Sequence, residues 1–537
     1  MTRKTGSKMG HLYRIRMHYE LSKNSHTDFS RFAGILDGCP EFHGPMGKEH
    51  YKVLAYLASQ FNGATIIDIG THQGKSALAL SYNPTNTVYS FDIMDKVTNQ
   101  AIRSRKNIVF SMDNLFEAEG RAKWLDKILE APFIFMDVDP HNGSMEIEMY
   151  EWLKSVGYKG FVICDDIWFF KEMRDNFWYK IPAEERYDLT DLGHWSGTGI
   201  ISFDTATTFP KRDNSEWTLV TAYFDLTKCP DASVEINKRG ADHYLTHAIS
   251  TMCLPYNMVV YCESENVEKL RAMRPKHLLE KTRFVERSFD ELRFHKNGVD
   301  LVETFADYRQ RIWKNRKEHP YNFDNRNTAS YYLFCMARYM MLKETIQRNE
   351  FGSTHFAWIN ICIERMGYKN VQRLDEALAV KRDKFSTCYI DYIPESLIRN
   401  TAEYYKWGRC SMCSGFFTGN AEYMFKACDL IENKFLEYLE KGYGHADEQL
   451  FSPVYFDNKD IFEHYYGDYQ QMITNYVFIY EACEPPVKNF VRSSYRHGDR
   501  AKCKEACAFI WRSLEAGTCS PDPKYINEVQ TYMRLVN

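Results

Sequence analysis

The sequence predicts an α/β chain built on two sheets, with a helical C-terminal end. Three observations lead there. Five apolar, β-rich runs at 66–69, 87–92, 107–113, 132–139 and 160–166 carry or end in an acid, and helical spacers separate them. A glycine-rich turn follows the first run and opens directly into a helix-forming segment. After a polar break at 210–216, new β-rich runs appear at 217–224, 257–262 and 355–360.

Taken in order, residues 1–44 are a polar lead-in. Residues 49–61 place Tyr51, Leu54, Ala55, Leu57 and Ala58 at helical spacing, which predicts a helix packed under the first strand. The turn reads Asp68, Gly70, Gly74 in D-x-G-x-x-x-G spacing, and Ser76, Ala77, Leu78 begin the next helix. This is not the G-x-G-x-x-G of a dinucleotide fold, and Lys75-Ser76 falls one residue short of a P-loop. Strand, glycine turn and helix form either a nucleotide-type site or a tight turn that needs glycine for its backbone alone. Asp92 ends the second run about 20 residues on, where a carboxylate can accept from ribose hydroxyls. A further apolar run at 199–203 closes the first sheet, and the linker falls at 210–216. In the second half a long helical region covers about 328–348, and 501–514 and 525–535 are amphipathic helices.

The bulk numbers narrow the function classes. A chain of 537 residues holds two or three domains. Its net charge of −4 gives no polyanion-binding signature, so nucleic acid is not the expected partner. Fifteen cysteines without framework spacing read as reduced thiols of a cytosolic protein. The basic, polar start lacks an apolar core of a secretory signal, and no stretch of about 18 apolar residues occurs.

With these motifs in place, residues 45–209 resemble a class I S-adenosylmethionine-dependent methyltransferase with a Rossmann-like sheet. The resemblance implies S-adenosylmethionine as cofactor. It makes Asp68, Gly70, Thr71, Gly74 and Ser76 the methionine-side loop, Asp92 the ribose acid and Asp113 an adenine contact. Asp137, Asp139, Asp165 and Asp166 gather at the ends of two runs expected to neighbour each other. Such carboxylates either hold a cation such as Mg²⁺, Mn²⁺ or Ca²⁺ or cap helices. The arrangement resembles metal-dependent catechol-type O-methyltransferases, which implies Asp137, Asp165 and Asp166 as ligands of Mg²⁺ or Mn²⁺. That family's lysine base has no counterpart, since Pro140 stands there, and His141 is the substitute. Residues 136–143 are similar to methyltransferase domains joined to glycosyltransferases in large algal-virus proteins, which implies a sugar hydroxyl as acceptor and, for a viral chain, the host cytoplasm.

Residues 217–480 resemble the bacterial HtrL/YibB family of glycosyltransferase-A type. The resemblance rests on Asn349-Glu350-Phe351, the run 355–360, Gly415 to Gly419, His445 to Gln449, Gly467-Asp468 and Asn475-Tyr476. It implies a nucleotide-sugar donor. Asn360 stands where the family has an acid, with Glu364 next, which puts metal use there in question. Asp447 and Glu448 are either acceptor-side catalytic carboxylates or the acidic start of a helix. Arg338 is either a phosphate contact or a salt-bridge arginine. The resulting expectation is a bifunctional glycan-modifying enzyme, with a lead-in at 1–44, domains at 45–209 and 217–480 and helices at 481–537. It would methylate a sugar hydroxyl and transfer a sugar from a nucleotide donor to a glycan acceptor. The alternative keeps the methyltransferase active beside a carbohydrate-binding second domain.

Overall fold

Strand β1 (Thr65–Ile69) lies inside the first sheet with a neighbour on each side, and its last four residues are buried. A strand covered on both faces has no polar side to show, which is why it reads as a nearly continuous apolar run. The computed structural model describes residues 28–32, 34–36, 39–44, 47–203, 214–296, 299–318, 328–406, 410–444, 447–520 and 522–536. These fall into two compact units, divided between Asp213 and Asn214. Much of the lead-in (1–27) and part of the linker (210–213) lie outside the described residues, as do His445 and Ala446.

The first unit adds β2 (Thr87–Phe91), β3 (Ile108–Ser111), β4 (Phe133–Met136), β5 (Phe161–Cys164), β6 (Arg186–Asp188) and β7 (Gly199–Ser202). Their order is β3-β2-β1-β4-β5-β7-β6. β1 to β5 run parallel, and β7 is antiparallel to both β5 and β6. The order reverses between β1 and β4, so the chain leaves these two neighbours in opposite directions and opens a crevice at their carboxyl ends. The helix Tyr51–Ser59 buries Val53, Leu54, Ala55 and Ala58 in the core that also holds Ile66, Val88, Phe133 and Ile163. Only β6 escapes the sequence reading: three residues, Arg-Tyr-Asp, are too short and too polar to show a run.

The second unit has its own seven-stranded sheet: β8 (Trp217–Tyr223), β9 (Asn257–Cys262), β10 (Thr282–Glu286), β13 (His355–Ile359), β14 (Phe385–Tyr389), β15 (Met412–Asn420) and β16 (Phe462–Tyr466), with a small ribbon of β11 (His295–Lys296) and β12 (Val299–Asp300) between β10 and β13 in the chain. The order is β10-β9-β8-β13-β15-β14-β16, with β15 antiparallel to both neighbours. The helix Ala329–Arg348 is capped by the Thr328 hydroxyl, which accepts from Tyr331 N, and ends on Asn349 in the left-handed region. The C-terminal end is helical, with Arg500–Glu515 and Pro523–Val536. No helix among the described residues is long and apolar enough to cross a membrane.

Candidate functional site

In the first unit the glycine turn sits at the mouth of the crevice. Gly70 N and Thr71 N both donate to Phe91 O, at 2.9 and 3.1 Å, tying the turn to the end of β2. Gly70 has φ +100°, and a Cβ there would stand 1.7 Å from Asp137 O. Glycine is required by space as well as by backbone conformation. Gly74, also left-handed, precedes the helix Lys75–Leu80. Asp92 Oδ2 accepts from His72 N at 2.8 Å and its Oδ1 from Met94 N at 3.0 Å, so the expected ribose acid also braces the loop.

Asp68 is fully buried, and its Oδ2 accepts from Ser90 Oγ at 2.6 Å. Ser90 in turn bonds Thr71 Oγ1. Burial pushes the Asp68 carboxyl up to about 7, against the opposing hydroxyls of Ser90 and Ser76. Its Oδ1 is buried with no hydrogen-bond partner. An orphaned acceptor behind a loop that admits no side chain fits a ligand carrying donors or positive charge, as S-adenosylmethionine does. Asp113, after β3, accepts from Lys123, Ser111 Oγ and Trp124 Nε1, and the Lys123 bond leads in pulling it down to about 2.

Strand register brings the acids together. Met136 pairs with Cys164 across β4 and β5, so Asp137 and Asp165 leave the sheet side by side. Beyond them the three expected ligands divide. Asp137, Asp166 and His141 form one group whose ligand atoms lie within 4.8 Å of one another. His141 Nδ1 is 3.2 Å from Asp166 and its Nε2 3.1 Å from Asp139, while its ring stacks on Phe170 at 5.0 Å. Asp165 instead faces His50 and His194, at 3.2 and 2.9 Å from its Oδ2. Burial and then the neighbouring Asp165 charge raise Asp137; burial works in the same direction on Asp165, but His50 and His194 outweigh it and keep that carboxyl ionised. An oxygen-rich, partly uncompensated set of this kind fits a hard divalent cation. His72, His141 and Asp166 all have positive φ, of 43°, 52° and 60°. Three strained non-glycine residues at one crevice mark a place where geometry is held against local preference.

His50 and His194 carry no signal in the sequence. One precedes the first helix of the sheet and the other lies in the loop before β7, and only the fold brings them to Asp165.

In the second unit Asn360 follows β13, and its Oδ1 accepts from Trp358 Nε1 at 3.0 Å. Glu364 is buried, 3.8 Å from His247 Nδ1. Asp447 and Glu448 begin the helix Asp447–Asp457. Asp447 is fully buried, accepting from Arg338 Nη1 at 2.8 Å and Tyr339 Oη at 2.9 Å. Arg338 also donates to Ser414 O, so it is a buried ion-pair arginine. Glu448 accepts from Tyr469 Oη at 2.8 Å and from Ser414, and burial followed by the Asp447 charge raises its carboxyl.

Strand order defines the two units as separate seven-stranded mixed α/β sheets. Residues 215–476 match a family described as bacterial proteins of unknown function (HtrL_YibB). No curated protein matches the chain. Among solved structures, a Staphylococcus aureus protein assigned as a caffeoyl-CoA O-methyltransferase is 13% identical, covering 36% of this chain and 99% of its own, with a TM-score of 0.25. Aeropyrum pernix fibrillarin with bound S-adenosyl-L-methionine is 15% identical, over 26% of this chain and 66% of its own, at 0.19. Mouse xyloside xylosyltransferase 1 is 10% identical, over 52% of this chain and 92% of its own, at 0.26.

Proposed function

We propose that the chain is a bifunctional glycan-modifying transferase. The first unit would methylate a sugar hydroxyl and the second would transfer a sugar from a nucleotide donor to a glycan acceptor. The observation that carries the first half is the glycine turn backed by Asp68, whose buried Oδ1 has no partner. When bound, S-adenosylmethionine supplies an electrophilic methyl group. Asp68, Gly70, Thr71, Gly74 and Ser76 would hold its methionine side, Asp92 its ribose and Asp113 the region of its base. Asp137, Asp165 and Asp166 are the carboxylates available to a divalent cation, which would lower the pKa of an acceptor hydroxyl. His141 would take the hydroxyl proton, its ring held between Asp166, 3.2 Å from Nδ1, and Asp139, 3.1 Å from Nε2, two carboxylates that would stabilise the imidazolium formed.

In the second unit Glu448 is the better placed of the two acids for proton transfer, because Asp447 is enclosed by Arg338 and Tyr339. Binding both substrates on one chain would raise the effective concentration of a shared glycan. A second reading, in which the second unit binds carbohydrate without turnover, is favoured by Asn360, whose side chain is an amide where a metal-binding acid would stand.

The test is transfer of label from methyl-labelled S-adenosylmethionine to a panel of glycosides by the full chain, alongside release of sugar from nucleotide donors. Methylation that falls by about 10²-fold or more in His141→Ala supports the assignment, on the usual scale of general-base catalysis. Label transfer unaffected by that change would remove His141 from the reaction. Sugar release abolished by Glu448→Gln supports a working second unit, and no release from any donor favours the second reading.

A further inference from the structure

Two imidazoles converge on one carboxylate oxygen beside the acid cluster. His50 Nδ1 and His194 Nδ1 lie 3.2 and 2.9 Å from Asp165 Oδ2, and all three ligand atoms fall within 4.8 Å of one another. His50 is 4% exposed and Asp165 3%, so little water reaches either. Despite its approach, His50 Nδ1 makes no hydrogen bond of acceptable geometry. His194 Nδ1 has the opposite problem, with Ser196 Oγ at 2.6 Å as well as Asp165 at 2.9 Å, more than one N–H serves linearly. Glu49 Oε2 stands 3.9 Å from the outer nitrogen of His194, on the side where an orienting carboxylate belongs behind a metal-bound imidazole. Ligand atoms each about 2.0–2.1 Å from one ion stand roughly 3 Å apart, which matches the two approaches to Asp165.

We propose that His50, Asp165 and His194 form a second cation site, selective for a transition metal such as Zn²⁺ or Co²⁺ over Mg²⁺. The proposal deepens the methyltransferase reading, on which it rests for its role next to the acceptor site. The donor chemistry separates the two neighbouring sites. Two carboxylates and one imidazole, from Asp137, Asp166 and His141, make an oxygen-rich group that leans to Mg²⁺, whereas the two imidazole nitrogens and one carboxylate of His50, His194 and Asp165 suit Zn²⁺, Co²⁺ or Fe²⁺ and leave positions open. Asp165 and Asp166 are consecutive, so an ion on the histidine side also fixes the carboxylates of the oxygen-rich side. A row of like charges that would otherwise repel is then held at two points.

The experiment uses the full chain, stripped with chelator and titrated with Co²⁺ in excess Mg²⁺, reading the visible absorption of Co²⁺ and the metal retained per chain. One equivalent of Co²⁺ is expected, with a visible band. His50→Ala and His194→Gln should each weaken it by more than the roughly 10–100-fold that losing an outer partner costs, while Asp137→Asn leaves it in place. His194 is partly exposed, at 20% of its side chain, so its variant carries the test if His50→Ala fails to fold. Absence of Co²⁺ uptake, retention in both histidine variants, or equal loss in Asp137→Asn would overturn the site. S-adenosylhomocysteine binding on the same samples reads the methyltransferase assignment separately: binding without Co²⁺ uptake rejects the metal site alone.

Discussion

Gly70 and Asp68 are the residues on which the first unit's site depends most directly. Replacing Gly70 with alanine would put a Cβ 1.7 Å from the Asp137 carbonyl in a left-handed backbone. The conformation alone costs about 1–2 kcal/mol, and the clash adds to it. Gly70→Ala should therefore lower the thermal midpoint by several degrees and abolish cofactor binding; a variant with wild-type stability would contradict the turn described. Asp68 makes a prediction with a sign. Its folded-state pKa of about 7 lies above its ordinary value of 3.8, so the folded chain keeps a proton that the unfolded chain releases between them. Stability from this group is present below about pH 4 and is lost as pH rises towards 7. Amide-exchange protection of β1 should fall across that window, and Asp68→Asn should flatten the fall.

At the scale of elements, a buried pair joins two helices. Arg338 on the helix Ala329–Arg348 bonds Asp447 at the start of the helix Asp447–Asp457 and the Ser414 carbonyl on β15. Arg338→Met would leave Asp447 buried without its counter-charge, a loss of about 3–5 kcal/mol. Denaturant titration of the variant checks this, and a loss under 1 kcal/mol would mean that Asp447 does not depend on the arginine. Elements also show how far the sequence could be read. β1 to β5, β7, β8, β9 and β13 were legible because they are apolar runs, several ending in acids that the sheet turns toward a crevice. β14 was not: it is wholly buried, yet Ser386 and Thr387 sit inside it, their hydroxyls satisfied by the Lys384 and Cys413 carbonyls. β10 and β16 are short, partly polar segments at the two edges of their sheet, where half-buried positions blur the pattern.

Over the whole molecule, the candidate site was legible where chemistry is local and hidden where the fold assembles it. Asp68, Gly70, Asp137 and Asp166 announce themselves at strand ends, whereas His50 and His194 reach Asp165 from opposite ends of the first unit's described chain. The two sheets share a topology up to their fourth strand and then diverge, β7 being reversed in one and β15 in the other. That divergence gives one chain two distinct α/β sheets. A ligand specific to the first unit should stabilise it by about 2.7 kcal/mol at 100 times its Kd. Calorimetric titration of the full chain with S-adenosylhomocysteine, beside Asp68→Ala, is the most direct test. Micromolar binding that Asp68→Ala abolishes is the expected result, and no heat of binding by the folded wild-type chain would contradict the methyltransferase assignment.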